Sequence, residues 1–134
     1  MIRRWYAQLP EIVSTADGLT ENAEASVAAF KEGNLSTIGQ HLSTYWTQKK
    51  CMAEGCEPRF VTKIMEAWRP HVHGWSLAGA GGGGFMVLLT REPDAAELLK
   101  KVLTEKTEQS VEELKFCTVD IDTEGMAVSF EDAA

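Results

Sequence analysis

Apolar positions recur every three or four residues through the first half of the chain. Ile12, Ala16, Leu19, Ala23, Val27 and Phe30 fall on one stripe, with Glu21, Glu24 and Lys31 between them, which is the period of an amphipathic helix. The pattern predicts one long helix over residues 5 to 32. Its regular part begins near Pro10, because proline is tolerated only in a first turn. Gly33 is placed to stop this helix and Asn34 to cap the next. Leu35, Ile38, Leu42, Tyr45 or Trp46, and Met52 make a second stripe, ended by Gly55. Pro58 suits the first turn of a third helix with Val61, Ile64, Met65 and Trp68 on one face, closed by Pro70.

After Pro70 the period changes. Residues 71–78 and 84–90 read as strands, and the second is a continuous apolar run, expected to be buried on both faces. Pro93 and Asp94 open a fourth helix, with a capping-box-like start from Asp94 to Glu97 and a buried stripe of Leu98, Leu99, Val102 and Leu103. Lys100, Lys101 and Lys106 lie toward the negative end of its dipole. Residues 114–122 alternate too imperfectly to assign a buried face. Asp122-Thr123-Glu124-Gly125 is turn chemistry, and Met126 to Phe130 reads as a last strand. The expectation is a single α+β domain over residues 1–134, helical over 1–70 and sheet with one helix over 71–134. Its order is three helices and then β–glycine loop–β–α–β–β, an antiparallel-rich sheet with helices on one face.

Composition adds limits. A chain of 134 residues with 44% hydrophobic and 25% charged residues is large enough for one core and too small for two full-sized domains. The net charge of −7, with no basic cluster larger than Lys49-Lys50 or Lys100-Lys101, argues against nucleic-acid binding. No apolar run approaches the ~20 residues of a membrane span, and the opening residues lack the apolar region of a signal peptide. Three cysteines without framework spacing read as reduced thiols, so a cytoplasmic protein is expected.

One stretch stands apart. Ser76-Leu77-Ala78-Gly79-Ala80-Gly81-Gly82-Gly83-Gly84-Phe85 carries five glycines in six positions between apolar flanks. Such a run tolerates positive φ and close approach of another group, and its N–H groups can form a nest for phosphate oxygens or for a loop that holds them. Gly79, Gly81 and Gly84 satisfy G-x-G-x-x-G, but a strand follows where a dinucleotide fold needs a helix. No Gly-Lys-Ser/Thr follows either, so a Walker loop is excluded. The competing reading is a tight connection between two strands.

Leu77 to Phe85 resembles the third motif of the GHMP small-molecule kinases, which lies in their C-terminal, ferredoxin-like domain. Family members often carry Lys and Ser or Thr just before the motif; Ser76 and Ala78 occupy those places here. The wider set of Gly55-Cys56-Glu57-Pro58, His71-Val72-His73-Gly74 and residues 76–85, with Trp46 and Lys49-Lys50, is similar to the fucokinase branch. The resemblance covers residues 5 to 90 well and the last strands only loosely.

What the resemblance implies is ATP- and magnesium-dependent phosphorylation of the anomeric hydroxyl of L-fucose by an intact two-domain enzyme. Residues Ala78, Gly79, Ala80, Gly81, Gly82, Gly83 and Gly84 would form the loop next to substrate and nucleotide. His73, Trp75 and Ser76 are candidates for the sugar pocket. The phosphate-binding Pro-x-x-x-Gly-Leu-Gly-Ser-Ser-like loop of the family's N-terminal domain does not occur here. The chain is therefore expected to be the C-terminal domain standing alone, with no catalytic residue of its own, no bound ATP or magnesium, and no activity. Its natural partners would be the N-terminal kinase domain and a sugar, and the uncovered loop face would permit a weak homodimer. Two alternatives stay open: the C-terminal domain of another GHMP kinase such as a heptose kinase, or a non-catalytic ferredoxin-like ligand-binding or interaction module.

Other clusters read as structural. Cys51, Cys56, His71 and His73 lack zinc-finger spacing, and no metal is expected. His71 and His73 share a strand face, where a hydrogen-bonding structural role competes with sugar contact. Asp120, Asp122 and Glu124 lack the glycine and distal glutamate of a calcium loop. Trp5, Trp46, Trp68 and Trp75 read as core or domain interface, with Trp75 near enough to the loop to stay a candidate.

Overall fold

The computed structural model describes residues 2–79, 84–107, 114–117 and 119–129. The chain runs α1 (Ile2–Tyr6), α2 (Pro10–Glu32), α3 (Leu35–Met52), α4 (Arg59–Trp68), a single 3₁₀ turn (Arg69–His71), β1 (Val72–Leu77), β2 (Met86–Thr90) and α5 (Ala96–Lys106). The predicted first helix is two, because the chain breaks before Pro10, with Gln8 at φ 50°. The α2–α3 corner forms as the sequence foretells. Gly33 takes φ 66°, the amides of Gly33 and Asn34 return to Phe30 and Ala29 carbonyls at 3.1 Å, and Asn34 Oδ1 caps Thr37 N–H.

The buried stripe of α2 departs from the apolar one. Ile12 and Ala29 are buried, but Ala23, Val27 and Phe30 face solvent. The stripe turns one residue after Leu19, so that polar Asn22 meets α3 and Ser26, its hydroxyl donating to the Asn22 carbonyl at 2.7 Å, is half-buried. The reason is a paired bond between helices. Asn22 Nδ2 donates to the His41 carbonyl at 3.0 Å, and Asn22 Oδ1 lies 2.7 Å from His41 Nδ1. These two bonds fix the face of α2 that meets α3, and Val27 and Phe30 are left largely exposed on the other side.

β1 and β2 form a two-stranded antiparallel sheet, with Leu77 opposite Met86, Trp75 opposite Leu88 and Val72 opposite Thr90. α3 lies directly against β1. Trp75 N–H donates to Ser43 Oγ at 3.2 Å, and the Gly39 backbone meets that of His73 and Gly74 so closely that a Cβ on either glycine would overlap main-chain atoms. Two apolar clusters hold the rest. One joins Ile64, Ala67 and Trp68 of α4 to Leu99, Val102 and Leu103 of α5, with Met86 and Leu88 against it. The other gathers Trp46, Cys56, Val61, Met65 and Leu77.

Three expectations are corrected. β2 is not buried on both faces, since Val87 is 45% exposed and its neighbours only half-buried; among the described residues it pairs with β1 alone. Asp94 does not cap α5, because it sits at φ 51° and Ala95 takes the N-cap position without a side-chain bond. Residues 114–117 and 119–129 form no strand. Leu114 and Phe116 instead pack on the α4–α5 cluster, with Phe116 tilted against Trp68 at 6.0 Å, while Lys115 and Cys117 face out. The fold is therefore helices with a small antiparallel sheet, and the β–α–β–β order of a ferredoxin-like sheet is not seen among the described residues.

Candidate functional site

The glycine-rich stretch begins where the hairpin's last pair ends. Ala78 N–H donates to the Phe85 carbonyl at 2.8 Å, one step beyond the Leu77–Met86 pair, and draws the two ends of the stretch together. Gly79 follows at φ +69°, a conformation in which L side chains are strained. Its carbonyl accepts a hydrogen bond from Lys49 Nζ, at the C-terminal end of α3. Gly84 is exposed, and a Cβ there would make only ordinary contact with the Ala78 carbonyl oxygen at 3.5 Å. Ala80, Gly81, Gly82 and Gly83 lie outside the described residues.

Lys49 is held from below. Its ammonium lies 5.9 Å from the Tyr45 ring centre and 5.5 Å from that of Trp46, within cation–π range. Trp46 is 1% exposed, and its indole N–H donates to Glu57 Oε2. Glu57 also accepts from Thr62 Oγ1 at 2.8 Å and pairs with Lys50 Nζ at 3.1 Å. Burial raises the Glu57 carboxyl, but the bonds from Trp46, Thr62 and Lys50 together outweigh it and hold the group below its ordinary range. The result is an ionised carboxylate with three donors that fixes the indole near Lys49.

On the neighbouring surface Phe85 is 73% exposed, and the Arg69 guanidinium stacks 5.3 Å from the Trp75 ring centre. Of the sugar-pocket candidates, Trp75 is half-buried, and Ser76 is buried with its hydroxyl donating to the Leu77 carbonyl at 3.3 Å. His73 sits toward the far end of β1, against Gly39, five residues before Ala78 and so about 16 Å away along a strand. Its Nδ1 is buried with no partner among the described residues, which leaves the expected structural hydrogen bond unmade at that nitrogen. Among the described residues no three His, Cys, Asp or Glu side chains gather to hold a metal, and all three cysteines are free.

Sequence reasoning placed Trp46 and Lys49-Lys50 in the family pattern but gave them no role. Glu57, quoted only as part of Gly55-Cys56-Glu57-Pro58, is the residue that ties them together. A charged residue beside a buried cysteine, eleven positions from a tryptophan, carries no periodic signal; only the turn between α3 and α4 brings it under the indole.

Residues 26–109 match the family described as GHMP kinases C terminal, and the chain belongs to it. The chain is 31% identical over 100 residues to the bifunctional fucokinase/GDP-fucose pyrophosphorylase of Arabidopsis thaliana, covering 75% of this chain and 10% of that protein. It is 32% identical over 77 residues to the L-fucokinase/L-fucose-1-P guanylyltransferase of Bacteroides fragilis, covering 58% of this chain and 8% of that protein. The chain thus spans about a tenth of the length of these relatives.

Proposed function

We propose that this chain is the C-terminal domain of an ATP-dependent sugar 1-kinase acting on L-fucose, and that its glycine-rich stretch forms part of the active site. The observation that carries the reading is the likeness to two fucokinases, in a chain whose match to the GHMP kinase C-terminal family spans residues 26–109 and so includes the stretch. The geometry supports it. The stretch is exposed at both described ends, is drawn together by the Ala78–Phe85 bond, and is held on one side by a lysine. Glycines at such a place let a second backbone and a substrate meet it without side-chain clash.

ATP and magnesium would supply the transferable phosphoryl group and neutralise its charge. The described residues do not fit them. They include no phosphate-binding loop, and no group of carboxylates gathers to hold a metal. Both belong to an N-terminal kinase domain, the partner this reading requires, and phosphoryl transfer is left to that domain's machinery. This chain's share is positional: it presents a backbone surface to the sugar or to the phosphate-holding loop. A cytoplasmic site is part of the same reading, in keeping with three free cysteines.

The test is kinetic. A kinase carrying this domain should phosphorylate L-fucose with ATP, and Gly81→Val should lower turnover at least tenfold with little loss of stability, as expected for a clash confined to an active-site loop. The 134-residue chain alone should show no turnover above background. Unchanged kinetics in a folded Gly81→Val enzyme would remove the stretch from the active site.

A further inference from the structure

We infer that Lys49 is a positioning residue for the glycine-rich stretch, a tether that sets the direction in which the chain leaves β1. The inference rests on the reading of that stretch as part of the active site and adds a residue to it from a separate element. Three observations meet at Lys49. First, its ammonium donates to the Gly79 carbonyl, one residue beyond the Ala78–Phe85 bond. A lysine–carbonyl bond is charge-assisted and stronger than a neutral one. Second, Gly79 stands at φ +69°, a conformation that L side chains rarely adopt, and among the described residues nothing lies within 4 Å of where its Cβ would be. Third, the ammonium lies within cation–π range of the Tyr45 and Trp46 rings, 5.9 and 5.5 Å from their centres. Trp46 cannot move aside, because it is buried and bonded to a Glu57 that is itself held by Thr62 and Lys50.

A flexible lysine is a poor anchor when its stem is free, since its rotamer entropy opposes any one geometry. Here two aromatic rings, one of them the buried Trp46, offer the ammonium favourable faces beside the Gly79 carbonyl and so favour that geometry. The direction of force is thus from a rigid support (α3 and the α4 start) onto a glycine with no side chain of its own to hold it. The neighbouring Lys50 cannot substitute, because its ammonium is committed to Glu57 at 3.1 Å.

Hydrogen exchange at single amides of the 134-residue chain tests this without nucleotide or sugar. The Ala78 amide, bonded to Phe85, reports the start of the stretch; the Arg91 amide, bonded to the His71 carbonyl at 3.0 Å, reports the other end of the same hairpin. Lys49→Met keeps the stem and removes the donor. It should speed exchange at Ala78 about tenfold, the loss of one charged hydrogen bond, and leave Arg91 unchanged. Lys49→Arg, which restores a charged donor beside the two rings, should restore protection. The inference is overturned if Ala78 does not respond, if Arg91 rises with it, or if arginine fails to rescue. Such a failure leaves the kinase reading untouched, since that is judged by Gly81→Val turnover. Conversely, a responsive Ala78 beside an unaffected Gly81→Val kinase would make Lys49 a structural bond and end its positioning role.

Discussion

Glu57 shows how one carboxylate can order its surroundings. It is the acceptor for an indole, a hydroxyl and an ammonium, and its side chain is 13% exposed. Removing its charge leaves the Trp46 indole N–H and the Lys50 ammonium competing for a weaker acceptor. Glu57→Gln should therefore destabilise the fold by about 1–2 kcal/mol in a denaturant titration at neutral pH. The pH dependence has a definite sign. Because the folded carboxyl is held below its ordinary range, its contribution is present at neutral pH and is lost as pH falls below about 4.3 toward the lower folded value. Between these pH values the parent should lose more stability than Glu57→Gln, and the two curves should converge in acid. Parallel curves would show that Glu57 titrates alike in both states. His73 remains the odd residue: a buried ring nitrogen without a described partner, set at the end of β1 away from the stretch.

Among the helices and strands, the meeting of α3 and β1 decides the architecture. Gly39 lies in the interior of a helix, where alanine would be favoured by about 1 kcal/mol. The contact with main-chain atoms of His73 overrides that preference, because a backbone cannot turn aside as a side chain can. Gly39→Ala should cost about 2 kcal/mol net, overpacking exceeding the gain in helix propensity. Gly18, in α2, provides the contrast. A Cβ there meets only the end of the Gln48 side chain, 2.9 Å away, which can shift. Gly18→Ala should be neutral or stabilising by up to about 1 kcal/mol. Urea midpoints of the two variants should move in opposite directions or differ sharply in size; equal shifts would mean that the close approach does not set the α3–β1 distance. The α2 stripe carries a related lesson. Apolar periodicity put Val27 and Phe30 inside, whereas the Asn22–His41 pair turned the helix so that they stand 52% and 61% exposed.

Taken as one body, the chain presents Phe85 and Val87 beside the glycine-rich stretch, and Val27, Phe30 and Leu35 around the α2–α3 corner. Exposed apolar groups close together favour association, while a net charge of −7 opposes it. The balance should give a monomer at low concentration and a weak dimer at high concentration. Salt should strengthen the dimer by screening repulsion, and Phe85→Ser should weaken it. Sedimentation equilibrium at two ionic strengths reads both effects. A tight dimer indifferent to Phe85→Ser would place the contact elsewhere, with the α2–α3 corner the next surface to vary. Among the described residues no helix is long and apolar enough to cross a membrane.

Local chemistry was legible in the sequence wherever a residue type alone decides a conformation. Gly33 and Asn34 marked a helix end and start, Pro10 and Pro58 stood at helix entrances, and the glycine-rich run announced both a hairpin connection and a family. These signals are short-range, set by a missing Cβ, a fixed φ or one side-chain cap. What the sequence could not decide was which of several neighbouring stripes would be buried and where unpaired segments would lie. Asn22 entered an interface because His41 stood opposite, β2 stayed half-exposed because among the described residues only β1 pairs with it, and Leu114 and Phe116 packed on α4 and α5 instead of joining a sheet. Glu57 and Lys49 acquired their roles the same way, from partners eleven and thirty residues away. Periodicity reports how apolar a face is; only tertiary structure decides what meets it.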